Sequence, residues 1–288
     1  MLDGPAERTH GGAVCCLLAH QLLLGGSEAK NKAENTPVLQ KEMTSELGCV
    51  TPWIVMPGTT WSTAEIDHMA GHLVAAFTAQ NSCNCLSPKL LVLDTDWPQR
   101  QEFLDAVRAR LCKTAAPPPH YPGTAERYQG FVDAYPEAQL ERILASAHPG
   151  MAPHDLGSSL PWLLIHLDEE SPSYALTHEA FAPVLAVYSL RAGNDPDRFA
   201  RSAVELVNES VWGSLSCTLI AHPDLETGPE SAVEQAITQL QYGSIGVNTW
   251  TAGVYGMSGM TWGAFPGETL DQVASGRGIV RNSYALSG

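Results

Sequence analysis

The stretch that decides the fold begins MTSELGCVTPWIVMPG (Met43–Gly58) and closes TAQNSCNCLSPKLLVLD (Thr78–Asp94). Pro52 to Met56 and Leu90 to Leu93 are short, continuous apolar runs, the pattern of strands buried on both faces. Between them Ser62-Thr63-Ala64-Glu65 forms a capping box, and Ile66, Met69, Ala70, Leu73, Val74 and Phe77 recur at helical spacing. Strand, helix and strand in this order predict a parallel βαβ unit. The turns that enter the two strands carry a carboxylate, Glu46, and two thiols, Cys83 and Cys85. A thiol nucleophile and a carboxylate base are what covalent thioester chemistry requires. Taken alone, the cysteines also read as small residues in a tight turn.

The rest of the chain continues the alternation. Asp94-Thr95-Asp96 with Pro98 starts a helix whose buried stripe is Phe103, Leu104, Val107 and Leu111. The proline-rich stretch 115–123 interrupts regular structure, and a helix is expected over about Ala138 to Ala147. Pro161–Leu167 and Val184–Leu190 read as strands, Asp195–Asn208 as a helix with Phe199, Ala203, Leu206 and Val207 inward. A strand ending at Ile220, a helix over Glu230–Tyr242 and a strand in Ser244–Asn248 follow. Leu22–Glu28 reads as a strand with a glycine turn, and Met1–Gly12 as a disordered end.

The chain has 288 residues and a formal net charge of −15, from 31 acidic against 16 basic residues. That balance repels phosphate backbones and argues against nucleic acid as a partner. Ala13 to Leu24, broken by His20 and Gln21, is too short to span a bilayer and lacks a basic leader, so neither a membrane nor a signal peptide is expected. Seven cysteines, without a CxxC pair, fit a reducing, cytoplasmic setting. His68 and His72 stand four apart with no third ligand in place, so no metal is expected.

Glu46-Leu47-Gly48, with Pro52 six residues after the glutamate, resembles the glutamate signature of the aldehyde dehydrogenase superfamily. Asn81-Ser82-Cys83-Asn84-Cys85-Leu86-Ser87-Pro88 resembles its cysteine signature, and Pro88 fits the register only for Cys85. A third match, in the right order, is His178-Glu179-Ala180-Phe181-Ala182-Pro183-Val184. Trp212–Ser216, Ser244–Asn248 and Trp262–Gly267 resemble later turns of the family. Cys49 stands where a second glycine is usual, the usual Gly-Gln before the cysteine is missing, and the separation 85 − 46 = 39 is somewhat long.

The resemblance implies an α/β fold, a mainly parallel sheet with helices on both faces, like an aldehyde dehydrogenase catalytic domain. Residues 1–40 would be a disordered end and a remnant of the cofactor domain, and 41–288 the catalytic domain. It implies NAD(P)-dependent oxidation of a small aldehyde to a carboxylic acid through a thiohemiacetal and a thioester. Cys85 would be the nucleophile, its thiol made more acidic by loop N–H groups, and Glu46 the base that activates water. Glu179 would bond the nicotinamide ribose, with Phe181 and Leu47 beside the nicotinamide of NAD or NADP. In the family most of the dinucleotide-binding domain precedes the glutamate motif, no G-x-G-x-x-G turn exists here, and the oxyanion-hole asparagine is absent. A truncated or split enzyme is therefore expected, forming a homo-oligomer or associating with the missing cofactor-domain half. The alternative is a non-redox or inactive subunit of the same fold, cysteine esterase-like or with an interaction role.

Overall fold

The computed structural model describes residues 28–34, 36–40, 44–116, 118–119, 121–144, 159–225, 228, 230–257, 259–269 and 273–280. The Leu22–Ser27 part of the expected first strand, and the polar end before it, lie outside these residues, while Glu28 opens a helical turn, Glu28–Ala33. In chain order the elements that build the site are β1 (Ser45–Glu46), β2 (Pro52–Val55), α1 (Thr63–Thr78), β3 (Leu90–Asp94), α2 (Arg100–Leu111), α3 (Thr124–Asp133), β4 (Leu140–Ile143), β5 (Trp162–Leu167), β6 (Val184–Leu190), α4 (Pro196–Glu209), β7 (Ser216–Ile220), α5 (Ala232–Gln239), β8 (Ser244–Val247) and β9 (Gly276–Arg277).

Seven strands form one sheet in the order β4-β5-β6-β3-β2-β7-β8. All neighbours run parallel except the edge strand β4, which is antiparallel to β5. The fold is thus α/β with a mainly parallel sheet. Every residue of β2, β3 and β7 is buried, as a sheet covered on both faces demands. Alternation along each strand feeds two cores. Trp53, Val55, Leu91 and Leu93 meet Leu73 and Phe77 of α1 and Phe103 and Val107 of α2. Ile54, Leu90 and Val92 face Phe131 of α3, Phe199 and Val207 of α4 and Val233 of α5. Each large apolar side chain so buried contributes about 1.5–3 kcal/mol.

Helix α1 starts as its sequence predicts. Glu65 N–H donates to Ser62 Oγ at 3.3 Å, and Ser62 N–H donates back to Glu65 Oε2 at 2.7 Å. The helix expected at Ala138–Ala147 is a correction: Leu140–Ile143 is the edge strand β4, paired residue by residue with Ile165 to Trp162 of β5. Its Leu140 and Ile143 have helical spacing, but the open edge of β5 offers a ladder of backbone partners, and tertiary pairing overrides local propensity. Conversely, α3 forms directly after the proline-rich stretch, entered through Gly123 at φ 74°.

Because β2, β3, β6 and β7 are parallel, the segments that enter them meet at one edge of the sheet. Those segments carry Glu46 to Cys49, Cys83 to Lys89, Glu179 to Phe181, and Gly213-Ser214.

Candidate active site

Glu46 is fixed from the far end of the chain. Its strand β1 pairs antiparallel with β9, Glu46 opposite Gly276. Leu47 N–H then donates to Ser275 O at 2.8 Å, and Ser275 Oγ donates to Gly48 O at 2.8 Å while accepting Ser214 N–H at 2.8 Å. Gly276 adopts φ 125°, and a Cβ there would lie 2.0 Å from Ser45 O, so only glycine lets the ribbon close. Gly213, at φ 96°, also packs against the turn; its Cβ would sit 2.8 Å from Ser275 Oγ and 3.0 Å from Cys49 Cα.

Cys85 arrives from the other side. After α1 the chain passes through three consecutive non-glycine residues in the left-handed region, Gln80, Asn81 and Ser82 (φ 54°, 56° and 60°). Such backbone costs on the order of 1 kcal/mol or more per residue and persists only where surroundings dictate it. Here Thr51 Oγ1 donates to Cys85 O at 2.7 Å, Trp250 Nε1 to Leu86 O at 2.7 Å, and Leu86 N–H to Asn84 Oδ1 at 2.8 Å. The buried ammonium of Lys89 donates to Ser82 O (3.1 Å), Ser82 Oγ (3.4 Å), Asn84 O (2.9 Å) and Ser87 O (3.2 Å).

The two motifs meet: the half-buried Cys85 thiol donates to Glu46 Oε1 at 3.1 Å. Cys83 faces elsewhere, its thiol donating to Phe181 O at 3.3 Å and lying 3.7 Å from Thr124 Oγ1. The loop does not make the Cys85 thiol more acidic, as expected from N–H groups. Burial pushes it up first, the Glu46 charge and hydrogen bond and the Glu179 charge push it further, and the Lys89 charge opposes them.

Glu179 is buried, with 3% exposure. Its Oε1 accepts Cys49 N–H at 3.1 Å, and its Oε2 has no hydrogen-bond partner. Gly48 makes room for it, since a Cβ there would fall 2.1 Å from Oε2. Burial raises this carboxyl to about 7, against the pull of Lys89, the Cys49 N–H and Arg127. Phe181 is half-buried, at φ 43°, with its ring 5.1 Å from that of Tyr121. Arg127 holds this turn by donating from Nε to Ala180 O (3.0 Å) and from Nη2 to Phe181 O (3.1 Å). Leu47 is also half-buried.

Sequence reasoning missed Lys89, Thr51, Trp250 and Ser275 as parts of this site. Only the placement of Lys89, one residue before an all-apolar strand, hinted that its side chain had to turn inward. His72 packs edge-on against Trp53 with ring centres 5.1 Å apart. Among the described residues, no group of three or more His, Cys, Asp or Glu side chains is placed to hold a metal ion, and no helix is long and apolar enough to cross a membrane.

No protein-family model matches the chain, and no curated protein sequence does. Solved structures do. The chain superposes on an NADP-dependent glyceraldehyde-3-phosphate dehydrogenase from Bacillus halodurans, complexed with NADP, with a TM-score of 0.62, 15% identity, and coverage of 87% of this chain and 47% of that one. An NAD-dependent aldehyde dehydrogenase from Sinorhizobium meliloti gives 0.59 and 18%, covering 83% and 43%. An apo betaine aldehyde dehydrogenase variant from Staphylococcus aureus gives 0.61 and 14%, covering 88% and 45%. The fold is therefore that of an aldehyde dehydrogenase catalytic domain. The chain spans less than half the length of these dehydrogenases.

Proposed function

We propose that this chain is the thiol-bearing part of an aldehyde-oxidising centre, with Cys85 as nucleophile and Glu46 as base. The observation that carries the reading is the 3.1 Å contact between Cys85 Sγ and Glu46 Oε1, two groups from separate motifs. Sγ would bond to the aldehyde carbon as Glu46 takes the thiol proton, giving a thiohemiacetal whose oxygen meets the Cys85 N–H. Oxidation at that carbon leaves a thioester. Glu46, having passed the thiol proton to solvent, would then take a proton from water as the water oxygen attacks the thioester carbon, and would return it to the sulfur. The C–S bond breaks, releasing a carboxylic acid and restoring the thiol.

A nicotinamide cofactor, NAD or NADP, would accept the hydride in that oxidation. The residues present fit its nicotinamide end: Glu179 Oε2 is an orphaned acceptor suited to a ribose hydroxyl, and half-buried Phe181 and Leu47 flank the same turns. We assign no residues to the adenosine end, so the reaction would need a dinucleotide-binding unit associated with this chain, within an oligomer. A reducing, cytoplasmic setting suits the site, because the described cysteines are all free. The non-redox alternative has no observation in its favour.

Protection tests the reading without any cofactor. A saturating small aldehyde should shield Cys85 from iodoacetamide, measured by peptide mapping, and leave the exposed Cys112 labelled as before. Equal labelling of Cys85 with and without aldehyde would contradict it.

A further inference from the structure

Lys89 is the only buried lysine among the described residues, and nothing in the proposed reaction uses it directly. Its backbone belongs to the sheet: Lys89 N–H donates to Thr51 O at 2.9 Å, and Lys89 O accepts Ala186 N–H at 2.9 Å. Its side chain runs back against the chain direction and donates to the carbonyls of Ser82, Asn84 and Ser87, which bracket Cys85, and to the Ser82 hydroxyl. An ammonium has three protons, and here four acceptors surround it. Three left-handed residues in a row, Gln80 to Ser82, form the start of the turn it holds.

The charges around Cys85 give this cation a second effect. Glu46 bonds the thiol, and Glu179 acts on it from the neighbouring turn. Both carboxylates oppose a negative sulfur. Cys49 and Cys83 also lie within the field of Lys89, and Arg127 acts on Glu179. Lys89, by contrast, favours a negative Cys85 sulfur.

We propose that Lys89 is the positioning residue of the nucleophile: anchored in the sheet, its ammonium fixes the Cys85 turn and supplies the positive charge that sulfur needs between two glutamates. The proposal rests on Cys85 being the nucleophile and deepens that reading. Burial lowers the ammonium to about 8, so its charge is present at pH 7 and lost as pH rises through 8. Its help to Cys85 should fade over the same interval. Glu179 lies lower, near 7, and because Lys89 pulls it down, Lys89→Met moves it up.

The experiment is the rate of Cys85 alkylation by iodoacetamide, mapped by peptide and normalised to Cys112, in the native chain, Lys89→Met and Lys89→Arg, from about pH 7 to about pH 9.5. An opposite charge within a few ångströms shifts a thiol by a unit or more, so native should exceed Lys89→Met about tenfold at pH 7. That ratio should shrink towards one above pH 9, and Lys89→Arg, which keeps a cation, should retain part of it. A purely structural lysine would give a ratio independent of pH, and that result, or a ratio of one throughout, overturns the proposal. If Lys89→Met does not fold, the native profile carries the test. It must rise by clearly less than tenfold per unit through pH 8, and a straight tenfold rise overturns the proposal. A native Cys85 that never labels overturns both this proposal and the assignment of the nucleophile. No aldehyde or cofactor is involved, so failure to oxidise aldehydes would count against the reaction alone.

Discussion

Glu179 and Cys49, 130 residues apart, are joined by a hydrogen bond of 3.1 Å from the Cys49 N–H to Glu179 Oε1. The contact locks the turn after Glu46 to the turn before β6. It leaves the second carboxylate oxygen buried without a partner, which makes Glu179 a costly charge.

That cost gives the first prediction. The folded-state value of Glu179, about 7, lies above its ordinary 4.5. A carboxyl raised in this way favours the fold below the ordinary value and withdraws that stability as pH rises to 7. Glu179→Gln keeps the shape and the Cys49 contact but carries no charge. Relative to native, it should gain on the order of 1–3 kcal/mol between about pH 4.5 and pH 7.5. Urea denaturation of both proteins at the two pH values measures this, and parallel pH dependence would show that Glu179 does not titrate there.

Ser275 gives the second prediction. Its buried hydroxyl links Gly48 O to Ser214 N–H, and Ser275→Ala leaves both groups unpaired. The loss should be about 1–3 kcal/mol of stability. Cys85 should also lose aldehyde protection, because the β1–β9 ribbon that holds Glu46 loosens. Thermal melts and the protection assay read the two effects separately.

Much of this was legible in the sequence because the signals were local. The capping box at Ser62, the apolar stripe of α1 and the unbroken runs of β2 and β3 each specify their element within a few residues. Glu46 and Cys85 could be paired because each lies just before a strand of one βαβ unit. What stayed hidden depends on distance or on competition. Ser275 and Gly276 act on Glu46 across most of the chain, and nothing near position 275 announces a partner. Leu140–Ile143 carries helix-favouring neighbours and becomes a strand only because β5 has an open edge. Lys89 looks like a surface charge until the left-handed turn at Gln80–Ser82 places three carbonyls around it. The acidity of Cys85 was misjudged because the fold buries the thiol and sets the Glu46 charge against it, with the charge of Glu179, far away in sequence, adding to both.

In the proposed reaction Cys85 carries the acyl group and Glu46 removes it. The most direct measurement of this is mass spectrometry of the Cys85 peptide in protein quenched during turnover of p-nitrophenyl acetate, for native and Glu46→Gln. Losing a general base should slow deacylation by roughly 10²-fold or more. Glu46→Gln also removes the charge that most opposes a Cys85 thiolate, so acylation by this activated ester persists, and acetyl-Cys85 should accumulate in Glu46→Gln and stay sparse in the native protein. Acetyl found on another residue, or equal acetyl-Cys85 occupancy with equal turnover in both proteins, would contradict the assignment of Cys85 and Glu46.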